Sequence, residues 1–359
     1  MKNKSKRITK IILAAILAVA AILLAYVAYV FIAYYRVEDN VKLEVHQKAE
    51  SKVNVDEELS ILSYNIGFGA YSDDYSFFMD GGKESRARSP ESVYENIDGA
   101  LNIIQDENPD FMLLQEVDLD GTRSHHIDQT TLVRDAFPKY SSVFAQNYDS
   151  PYLFWPLLEP HGANKAGTMT LSSYKIQSSL RRSLPIEEDF MKLVDLDRCY
   201  AINRIPTNDG HEFVLINFHL SAYTSDGKIA EDQLKMLFAD MQKELDKGNY
   251  VVAGGDFNKD ILGNSDEIFG IPFGDANWAQ PIPPELIPTD LKIIAPLDKD
   301  HPVASCRNAD RPYGPDDFTL TVDGFIVSNN VEVLNSEVID AKFKYSDHNP
   351  VKMNFKLTK

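Results

Sequence analysis

The sequence predicts one large α/β domain that is preceded by a single membrane-spanning helix. The chain has 359 residues and is 44% hydrophobic, which is enough to bury a substantial core. Residues 11–35 carry no charge and, as a helix, are long enough to cross a hydrocarbon layer of roughly 30 Å. After residue 58, apolar runs typical of buried strands are separated by segments with helical spacing.

The charges on the two sides of the apolar run predict its orientation. Five basic residues and no acid lie in residues 1–10, whereas the segment after residue 35 mixes both signs. The positive-inside rule therefore predicts a cytoplasmic tail over 1–10, a transmembrane helix over 11–35 and the main domain outside the cell membrane. A cleaved signal peptide is the alternative, but the run exceeds the ~7–15 apolar residues of such peptides. We expect an uncleaved anchor.

The charge and the cysteine content exclude some classes of protein. The net charge is −18, and because the first ten residues contribute +5, the rest of the chain carries −23. Such an acidic body repels polyanions at long range, which disfavours a protein that coats nucleic acid, although a local basic funnel would still admit one strand. Cys199 and Cys306 are too few for a disulfide scaffold, and the sequence leaves their pairing open.

The order of predicted elements defines the domain. Residues 36–58 are polar with scattered valines and fit either a juxtamembrane stalk or a first strand, so the main domain covers 59–359. Helices are predicted behind the Ser89-Pro90 pair and over Lys228–Lys247, where apolar residues recur at helical spacing. Buried strands are predicted over 59–67, 111–116, 212–220 and 250–255, with two more near 318–328 and 345–357.

Residues of metal-binding or acid/base type recur at the ends of these strands. Singly, each such residue is more often part of a turn than of a site. Strands of one sheet bring their ends together, however, so the recurrence at six strands predicts a shared site. The residues are Asn65, Glu116, His219, Asp256 with Asn258, Asp323, and Asp347 with His348.

Six short segments occur in a characteristic order from residue 59 to the C-terminus: "SYNI", "LLQEVD", "NFHLSA", "GGDFN", "VDGFIVS" and "SDHNPV". In these segments the chain resembles the endonuclease/exonuclease/phosphatase superfamily, which includes deoxyribonuclease I-like nucleases, inositol polyphosphate 5-phosphatases and neutral sphingomyelinases. The resemblance implies a four-layer α/β fold in which a two-sheet β-sandwich is flanked by helices. The predicted strands and helices are compatible with that fold.

The resemblance also implies a catalytic metal ion. Glu116 matches the principal ligand of Mg²⁺, with Mn²⁺ as the alternative, and Asn65 and Asp347 match its helpers. Few oxygen ligands suit Mg²⁺, which keeps several waters and takes further oxygens from substrate phosphate. Arg123 and His125 follow the Glu116 strand and fit either a phosphate clamp or a solvated loop.

The remaining matched residues are expected to carry the chemistry. By resemblance, Asp256 orients or deprotonates the attacking water, and Asn258 donates a hydrogen bond to a phosphate oxygen. His348, held by Asp323, stabilises the charge that develops at phosphorus, and His219 contacts the phosphate. In-line attack on a phosphate requires an activated water, charge neutralisation and donors for the equatorial oxygens, which these residue types supply.

Two segments between the motifs are expected to bear on the substrate. The apolar run 152–162, "YLFWPLLEPHG", fits a lipid-facing loop, a substrate-covering loop or a packed core segment. The long proline-rich stretch 261–317 fits a functional lid that selects the substrate.

The sequence therefore predicts a membrane-anchored, Mg²⁺-dependent phosphohydrolase that acts on a phosphodiester. The expected partners are the membrane, through residues 11–35, and a phosphoester substrate, which is a lipid headgroup, a small phosphodiester or a nucleic acid; no protein partner is evident. The alternatives are a phosphomonoesterase acting on a lipid or inositol headgroup, a nuclease, and a catalytically silent binding protein, since fold alone does not make an enzyme.

Overall fold

The alternation of apolar residues in the strands determines the layers of this molecule. The computed structural model describes residues 2–187, 190–193, 195–222, 227–270 and 278–358. Its helices are α1 (Lys2–Ala33), α2 (Pro90–Glu107), α3 (Gln129–Ala136), α4 (Lys228–Leu245) and α5 (Ser265–Phe269). Its strands are β1 (Val41–Leu43), β2 (Val45–His46), β3 (Glu58–Asn65), β4 (Phe111–Gly121), β5 (Ser141–Asp149), β6 (Asn164–Ser172), β7 (Ser178–Ser183), β8 (Cys199–Pro206), β9 (Glu212–His219), β10 (Tyr250–Asp256), β11 (Leu291–Ile294), β12 (Cys306–Arg307), β13 (Thr319–Leu320), β14 (Asp323–Ser328), β15 (Val331–Val338) and β16 (Val351–Leu357).

Within the described residues, two seven-stranded mixed sheets pack face to face. The first sheet has the order β1-β7-β8-β9-β10-β14-β11, and the second has the order β15-β16-β3-β4-β6-β5-β2. Each contains one parallel pair, β9 with β10 and β3 with β4, at its centre. Strands β12 and β13 form a separate small ribbon.

The core between the sheets comes from every second residue of the central strands. Ile61 and Phe111 of the second sheet pack there against Phe213, Val252 and other residues of the first sheet. The intervening residues point outward, since successive side chains of a strand lie on opposite faces. They are covered by α2 and α3 on the second sheet and by α4 on the first. The four-layer sandwich predicted from the sequence is confirmed.

The helix predictions rest on local signals that the structure retains. Ser89 caps α2 by accepting a hydrogen bond from the backbone N–H of Ser92, and Pro90 occupies the first turn. Val93, Ile97 and Ile104 form the buried stripe of α2 against the second sheet. Helix α4 begins at the predicted residue, Lys228.

Of the two interpretations of residues 36–58, the structure shows strands. β1 pairs with β7 at the edge of the first sheet, and β2 pairs with β5 at the edge of the second. Arg181 explains part of this attachment, because its buried guanidinium donates hydrogen bonds to the carbonyl oxygens of Val37 and Glu38. The segment after α1 therefore ties the helix to both sheets.

Helix α1 is long and apolar enough to cross a membrane, and its apolar side chains up to Tyr29 lie on the outside of the structure. The segment 261–317 contributes α5, the edge strand β11 and the strand β12, and residues 271–277 of it lie outside the described residues. Cys199 and Cys306 are both buried and free.

Candidate active site

Four of the predicted site residues continue the inward faces of the two sheets. Asn65, His219 and Asp256 end β3, β9 and β10, and each lies an even number of residues from a core side chain of its strand. Strand β14 runs antiparallel to β10, so its first residue, Asp323, is paired with Asp256. His219 is the partner of Asp256 on the other side, because β9 and β10 are parallel. At this end of the sandwich, polar side chains therefore replace the apolar side chains of the core.

The two glycines before Asp256 serve the packing of the strands. Gly255 has φ 148°, and a Cβ at this position would lie 1.9 Å from the carbonyl oxygen of Phe218. Only glycine allows β10 to approach β9 so closely here. The stretch "VVAGGDFN" therefore brings Asp256 against His219 by removing the side chain that would separate the strands.

His348 and Asp323 form a buried pair. The Nδ1 of His348 lies 2.7 Å from Oδ2 of Asp323, which also accepts a hydrogen bond from the hydroxyl of Ser305 at 2.8 Å. Although burial by itself lowers the pKa of His348, the carboxylate of Asp323 raises this pKa well above its ordinary value. The pair therefore presents a cationic imidazole whose Nε2 faces the cavity.

Asp256 lies between three donor groups. Its Oδ2 accepts a hydrogen bond from Nδ2 of Asn65 at 3.2 Å and lies 3.4 Å from Nε2 of His219 and 3.8 Å from Nε2 of His348. Burial raises the pKa of the Asp256 carboxyl, and the charge of His348 opposes this shift. Burial, together with Arg198, lowers the pKa of His219 well below its ordinary value. The low pKa favours neutral His219, so its contact with Asp256 is not an ion pair.

Glu116 reaches the site through an irregularity in β4. The register of β4 against β6 shifts between Leu114 and Val117, and Glu116 has φ 54°. Such a bulge turns a side chain away from the regular alternation. As a result the carboxylate of Glu116 lies 3.1 Å from Nδ2 of Asn65 and lines the same cavity as Asp347.

These carboxylates fit a divalent cation. Burial raises the pKa of Glu116, and the nearby charge of Asp347 adds to this rise, whereas Arg123 lowers it. Among the described residues, no cationic side chain forms an ion pair with Glu116. A partly buried carboxylate without a cationic partner loses solvation, and a hard cation with oxygen ligands compensates for this loss. In the structure, Nδ2 of Asn65 faces Glu116 and Oδ1 accepts a hydrogen bond from the N–H of Gly67. Asn65 can therefore bind a cation beside Glu116 only if its amide rotates so that Oδ1 faces the cation.

A second group of potential ligand atoms belongs to Asp256, Asp323 and His348, which lie within 4.8 Å of one another. Nδ1 of His348 is already bonded to Oδ2 of Asp323, however, and this carboxylate raises the pKa of the imidazole, although Oδ1 of Asp323 has no hydrogen-bond partner among the described residues. This group therefore suits proton and charge chemistry better than metal binding.

The site residues surround a cleft of about 530 Å³. Glu116, Asp347, Asp256, Asn258 and His348 line one part of it, while Asn65 and Asp323 lie directly behind them. Asn258 donates its side-chain N–H to the carbonyl oxygen of Leu220, and its backbone N–H bonds to Oδ1 of Asp256. Aromatic side chains also line the cleft: Phe68, Tyr71, Phe77, Tyr148, His161 and Trp278.

The two residues proposed to clamp phosphate lie in different places. Arg123 lines the cleft, but its guanidinium bonds to the buried carboxylate of Asp118 at 2.8 Å and lies 3.9 Å over the ring of Phe68. His125 bonds through Nε2 to the carbonyl oxygen of Ala87 and is not part of the cleft lining. Arg123 thus lines the cleft, but its positive charge is already balanced by Asp118.

Arg198 is a cavity residue that the sequence did not point out. It is 5% exposed, lines the cleft, and its only ion pair within the described residues is a long one of 3.8 Å to Asp195. Its Nε and Nη1 have no hydrogen-bond partner among the described residues. The position just before β8, which is antiparallel to β9, places it at the same edge as His219. Inspection of strand starts as well as strand ends would have found it.

Cys306 is another residue of the cleft that the sequence did not indicate. Its Sγ lies 3.7 Å from Nε2 of His348, and the two residues form a bridge between β12 and the segment before β16. Burial raises the pKa of this thiol to about 12, so it stays neutral beside the imidazole.

Comparisons with known proteins agree with the fold described above. The family model described as "Endonuclease/Exonuclease/phosphatase family" matches residues 62–348. An endonuclease/exonuclease/phosphatase from Beutenbergia cavernae is 18% identical, with a TM-score of 0.55, over 84% of this chain and 72% of that chain. One from Bacteroides vulgatus is 16% identical, with a TM-score of 0.55, over 84% of this chain and 100% of that chain.

A third solved structure is ANGEL2, described as a 2′,3′-cyclic phosphatase, in complex with adenosine-2′,3′-vanadate. It is 16% identical, with a TM-score of 0.57, over 89% of this chain and 99% of that chain. No curated protein sequence matches the chain. At these identities the structural likeness concerns the fold alone, but the family model spans most of the sequence. This chain belongs to the endonuclease/exonuclease/phosphatase family, whose members are metal-dependent phosphoesterases.

Proposed function

We propose that this protein is a membrane-anchored, metal-dependent hydrolase that cleaves a phosphodiester by attack of water. One observation carries the proposal. A buried carboxylate, Asp256, an imidazole of raised pKa, His348, and a guanidinium with two unbonded nitrogens, Arg198, meet in one cleft. A base, a charged donor and an anion-binding group are what hydrolysis of a phosphoester requires.

Asp256 is proposed to receive the proton of the attacking water. The backbone N–H of Asn258 donates to its Oδ1 at 2.8 Å, and His219 lies 3.4 Å from its Oδ2, which fixes the carboxylate in the cleft. The water oxygen forms the new bond to phosphorus, and its proton passes to Asp256. The bond from phosphorus to the leaving oxygen breaks with its electron pair, and that oxygen is protonated from solvent.

His348 and Arg198 are proposed to stabilise the charge on the phosphoryl oxygens. The bond from Nδ1 to Asp323 fixes the imidazole, so its Nε2–H points toward the cleft. Arg198 offers unpaired N–H groups that no acceptor in the described residues uses. Preorganised donors of this kind contribute strongly in a site that excludes water.

Glu116 and Asp347, with Asn65 after rotation of its amide, are proposed to hold Mg²⁺ or Mn²⁺. When bound, the cation would supply positive charge to the substrate phosphate. Without the cation, the carboxylates of Glu116 and Asp347 would repel a phosphate bound in the cleft.

The charge of the cleft favours a diester over a monoester. Five acidic residues, which are Glu116, Asp256, Asp347, Asp80 and Asp195, line it, and they outnumber the three arginines and the imidazole of His348 by one. A diester carries one negative charge and a monoester up to two, so the second charge adds repulsion. The aromatic side chains that line the cleft also offer apolar contact for an organic group on the phosphate.

We further propose that α1 anchors the protein with its N-terminus in the cytoplasm and the domain outside, because the basic residues precede the apolar run. Protease added to intact cells should then remove the domain, and loss only after permeabilisation would contradict this orientation.

Arg198 provides the test of the proposed function. The full chain in detergent micelles is assayed with an aryl phosphodiester, an aryl phosphomonoester, single-stranded DNA and phospholipids. We expect turnover of a diester in the presence of Mg²⁺, and a loss of roughly 10²-fold in kcat/KM for Arg198→Gln. Arg134→Gln is the matched control, since that arginine bonds to Thr130 and Ser142 outside the cleft. Faster turnover of the monoester than of every diester would favour a phosphomonoesterase, and turnover of no substrate would favour a silent binding protein.

A further inference from the structure

The apolar segment 152–158 projects from the domain as the tip of a closed loop. Leu153 and Gly162 exchange two backbone hydrogen bonds of 3.0 Å, which close the base of the loop. At the tip Trp155 is 66% exposed and Leu158 is 100% exposed, and Phe154 and Leu157 are exposed as well. Of the three interpretations that the sequence left open, a packed core segment is therefore not what the structure shows for this tip.

This tip lies against the membrane helix. The hydroxyl of Tyr26 donates to the carbonyl oxygen of Tyr152 at 3.2 Å, and the hydroxyl of Tyr29 accepts from the N–H of Tyr152 at 3.0 Å. The rings of Tyr26 and Phe154 meet edge to face with centroids 5.2 Å apart. Apolar side chains of the tip are thus continuous with the apolar surface of α1.

The position of Tyr26 along α1 indicates how deeply the tip of the loop would lie in a membrane that α1 spans. Tyr26 lies seven residues before Ala33, where α1 ends. At 1.5 Å per residue this places the contact about 10 Å below the end of the helix. Interfacial segments bury their apolar face about 5–10 Å into the boundary between headgroups and acyl chains. Tyrosines at this level are also typical of the interfacial belt of membrane helices.

The same helix end borders the active-site cleft. Tyr34 donates its hydroxyl to Asp197 at 3.1 Å, and Arg36 bonds to the carbonyl oxygen of Leu184, so the helix end holds the segment that carries Arg198. On the loop side, His161 lines the cleft, and its backbone N–H donates a hydrogen bond to the carbonyl oxygen of Trp155. Two parts of the cleft rim are therefore attached to α1.

We propose that residues 152–158 insert into the bilayer that α1 spans and hold the cleft at its surface, where it takes a phospholipid headgroup as substrate. The choice of substrate rests on the proposed phosphodiester hydrolysis, whereas the insertion does not. The bilayer is the occupant that the structure favours, because the exposed tip adjoins α1 within the stretch that is apolar enough to span a membrane.

Fluorescence of Trp155 tests the insertion without any assay of activity. The sequence has two tryptophans, so Trp278→Phe leaves Trp155 as the only reporter, and Trp155→Phe leaves Trp278 as the control. The full-length variants are reconstituted in phosphatidylcholine vesicles that contain brominated acyl chains. We expect blue-shifted emission of Trp155 and quenching by bromine near the headgroups, with little quenching of Trp278.

Two other fluorescence results would overturn the insertion. Emission typical of exposed tryptophan, without quenching, would place the loop in water. Blue-shifted emission without quenching by the lipids would mean that a protein surface, such as a second copy of the chain, covers the loop.

A pair of substrates tests the role of the loop in turnover. Leu157→Ser with Leu158→Ser should lower hydrolysis of phospholipid in vesicles by roughly tenfold or more, the scale expected for removing one or two buried leucines. Hydrolysis of a soluble aryl phosphodiester should not change. Leu334→Ser is the matched control. That exposed leucine lies on β15 at one edge of the second sheet, whereas β5, which precedes the loop, lies next to the other edge.

The outcomes separate the two proposals. Hydrolysis of the aryl diester but of no phospholipid overturns the lipid substrate and leaves the proposed hydrolase in place. Hydrolysis of neither overturns the proposed function and the substrate with it, while the quenching of Trp155 still decides the insertion. Equal loss of both substrates in the double serine variant contradicts a role at the membrane.

Discussion

Nδ1 of His348 lies 2.7 Å from Oδ2 of Asp323, and Nε2 of the same ring lies 3.8 Å from Oδ2 of Asp256. The imidazole therefore has one nitrogen committed to a buried carboxylate and the other directed to the cleft. This arrangement fixes the ring and keeps its charge, which a free histidine at neutral pH would largely lose.

The pair predicts that His348 and Asp323 act as a unit. We expect His348→Gln to lower kcat/KM for the best substrate by roughly 10²-fold or more, because a neutral amide cannot replace a cationic donor. Asp323→Asn should have a smaller effect, and the double variant should be no slower than His348→Gln alone. Steady-state kinetics of the three variants check this. Additive losses would mean that the two residues work separately, and His211→Gln, which alters a histidine outside the cleft, should keep full turnover.

Asp256 is expected to be more important for turnover than for folding. Asp256→Asn keeps the volume of the side chain but removes its basicity, so turnover should fall by roughly 10²-fold or more. Asp260→Asn is the control, since this buried carboxylate accepts from the backbone N–H groups of Leu262, Gly263 and Ser265 outside the cleft. It should cost about 1–2 kcal/mol of stability and leave turnover intact. Parental turnover in Asp256→Asn would show that the residue only closes a turn.

Removal of divalent cations should abolish turnover without unfolding the domain. The cleft carboxylates lie at the surface of a core that two sheets already stabilise, so the cation is not required for the fold. Excess EDTA should stop hydrolysis and leave the circular dichroism unchanged, and Mg²⁺ or Mn²⁺ should restore activity. Glu116→Gln should raise the Mg²⁺ concentration for half-maximal rate by more than about tenfold, whereas Glu107→Gln should not. Full activity in EDTA would exclude this assignment.

Glu244 predicts how stability depends on pH away from the cleft. Burial alone would raise its pKa, but hydrogen bonds from Arg204, Lys247 and Asn249 lower the pKa to about 2. Because the folded-state pKa lies below the ordinary value of 4.5, the carboxylate stabilises the folded state above about pH 4.5 and loses this effect as the pH falls toward 2.

The matching variant is Glu244→Gln. It should lower the free energy of unfolding by about 1–3 kcal/mol at pH 7, and the difference from the parent should shrink steadily below pH 4.5. Urea denaturation at pH 7 and pH 3 measures both values. A difference that is the same at the two pH values would show that the ion pair with Arg204 does not account for the stabilisation.

The sequence by itself determined the layers of the fold and most of the candidate site. Alternating apolar residues define strands with two faces, and the Ser89-Pro90 pair defines the start of α2. Asp256 and His219 were expected to meet because polar residues at the ends of adjacent strands share an edge, and the structure brings them within 3.4 Å. These signals are local, so they can be recognised without knowledge of distant contacts.

Only the tertiary structure decided which side chains remain available in the cleft. The sequence points to Arg123 and not to Arg198, yet Asp118 balances the first while the second keeps unpaired N–H groups. The composition of residues 152–162 is compatible with a core segment, but Trp155 is exposed and its neighbour Phe154 packs against Tyr26 of α1. Each difference depends on a partner brought from elsewhere in the chain by the packing of sheets and helices. Such long-range contacts follow from the geometry of the whole fold, which local periodicity and spacing do not encode.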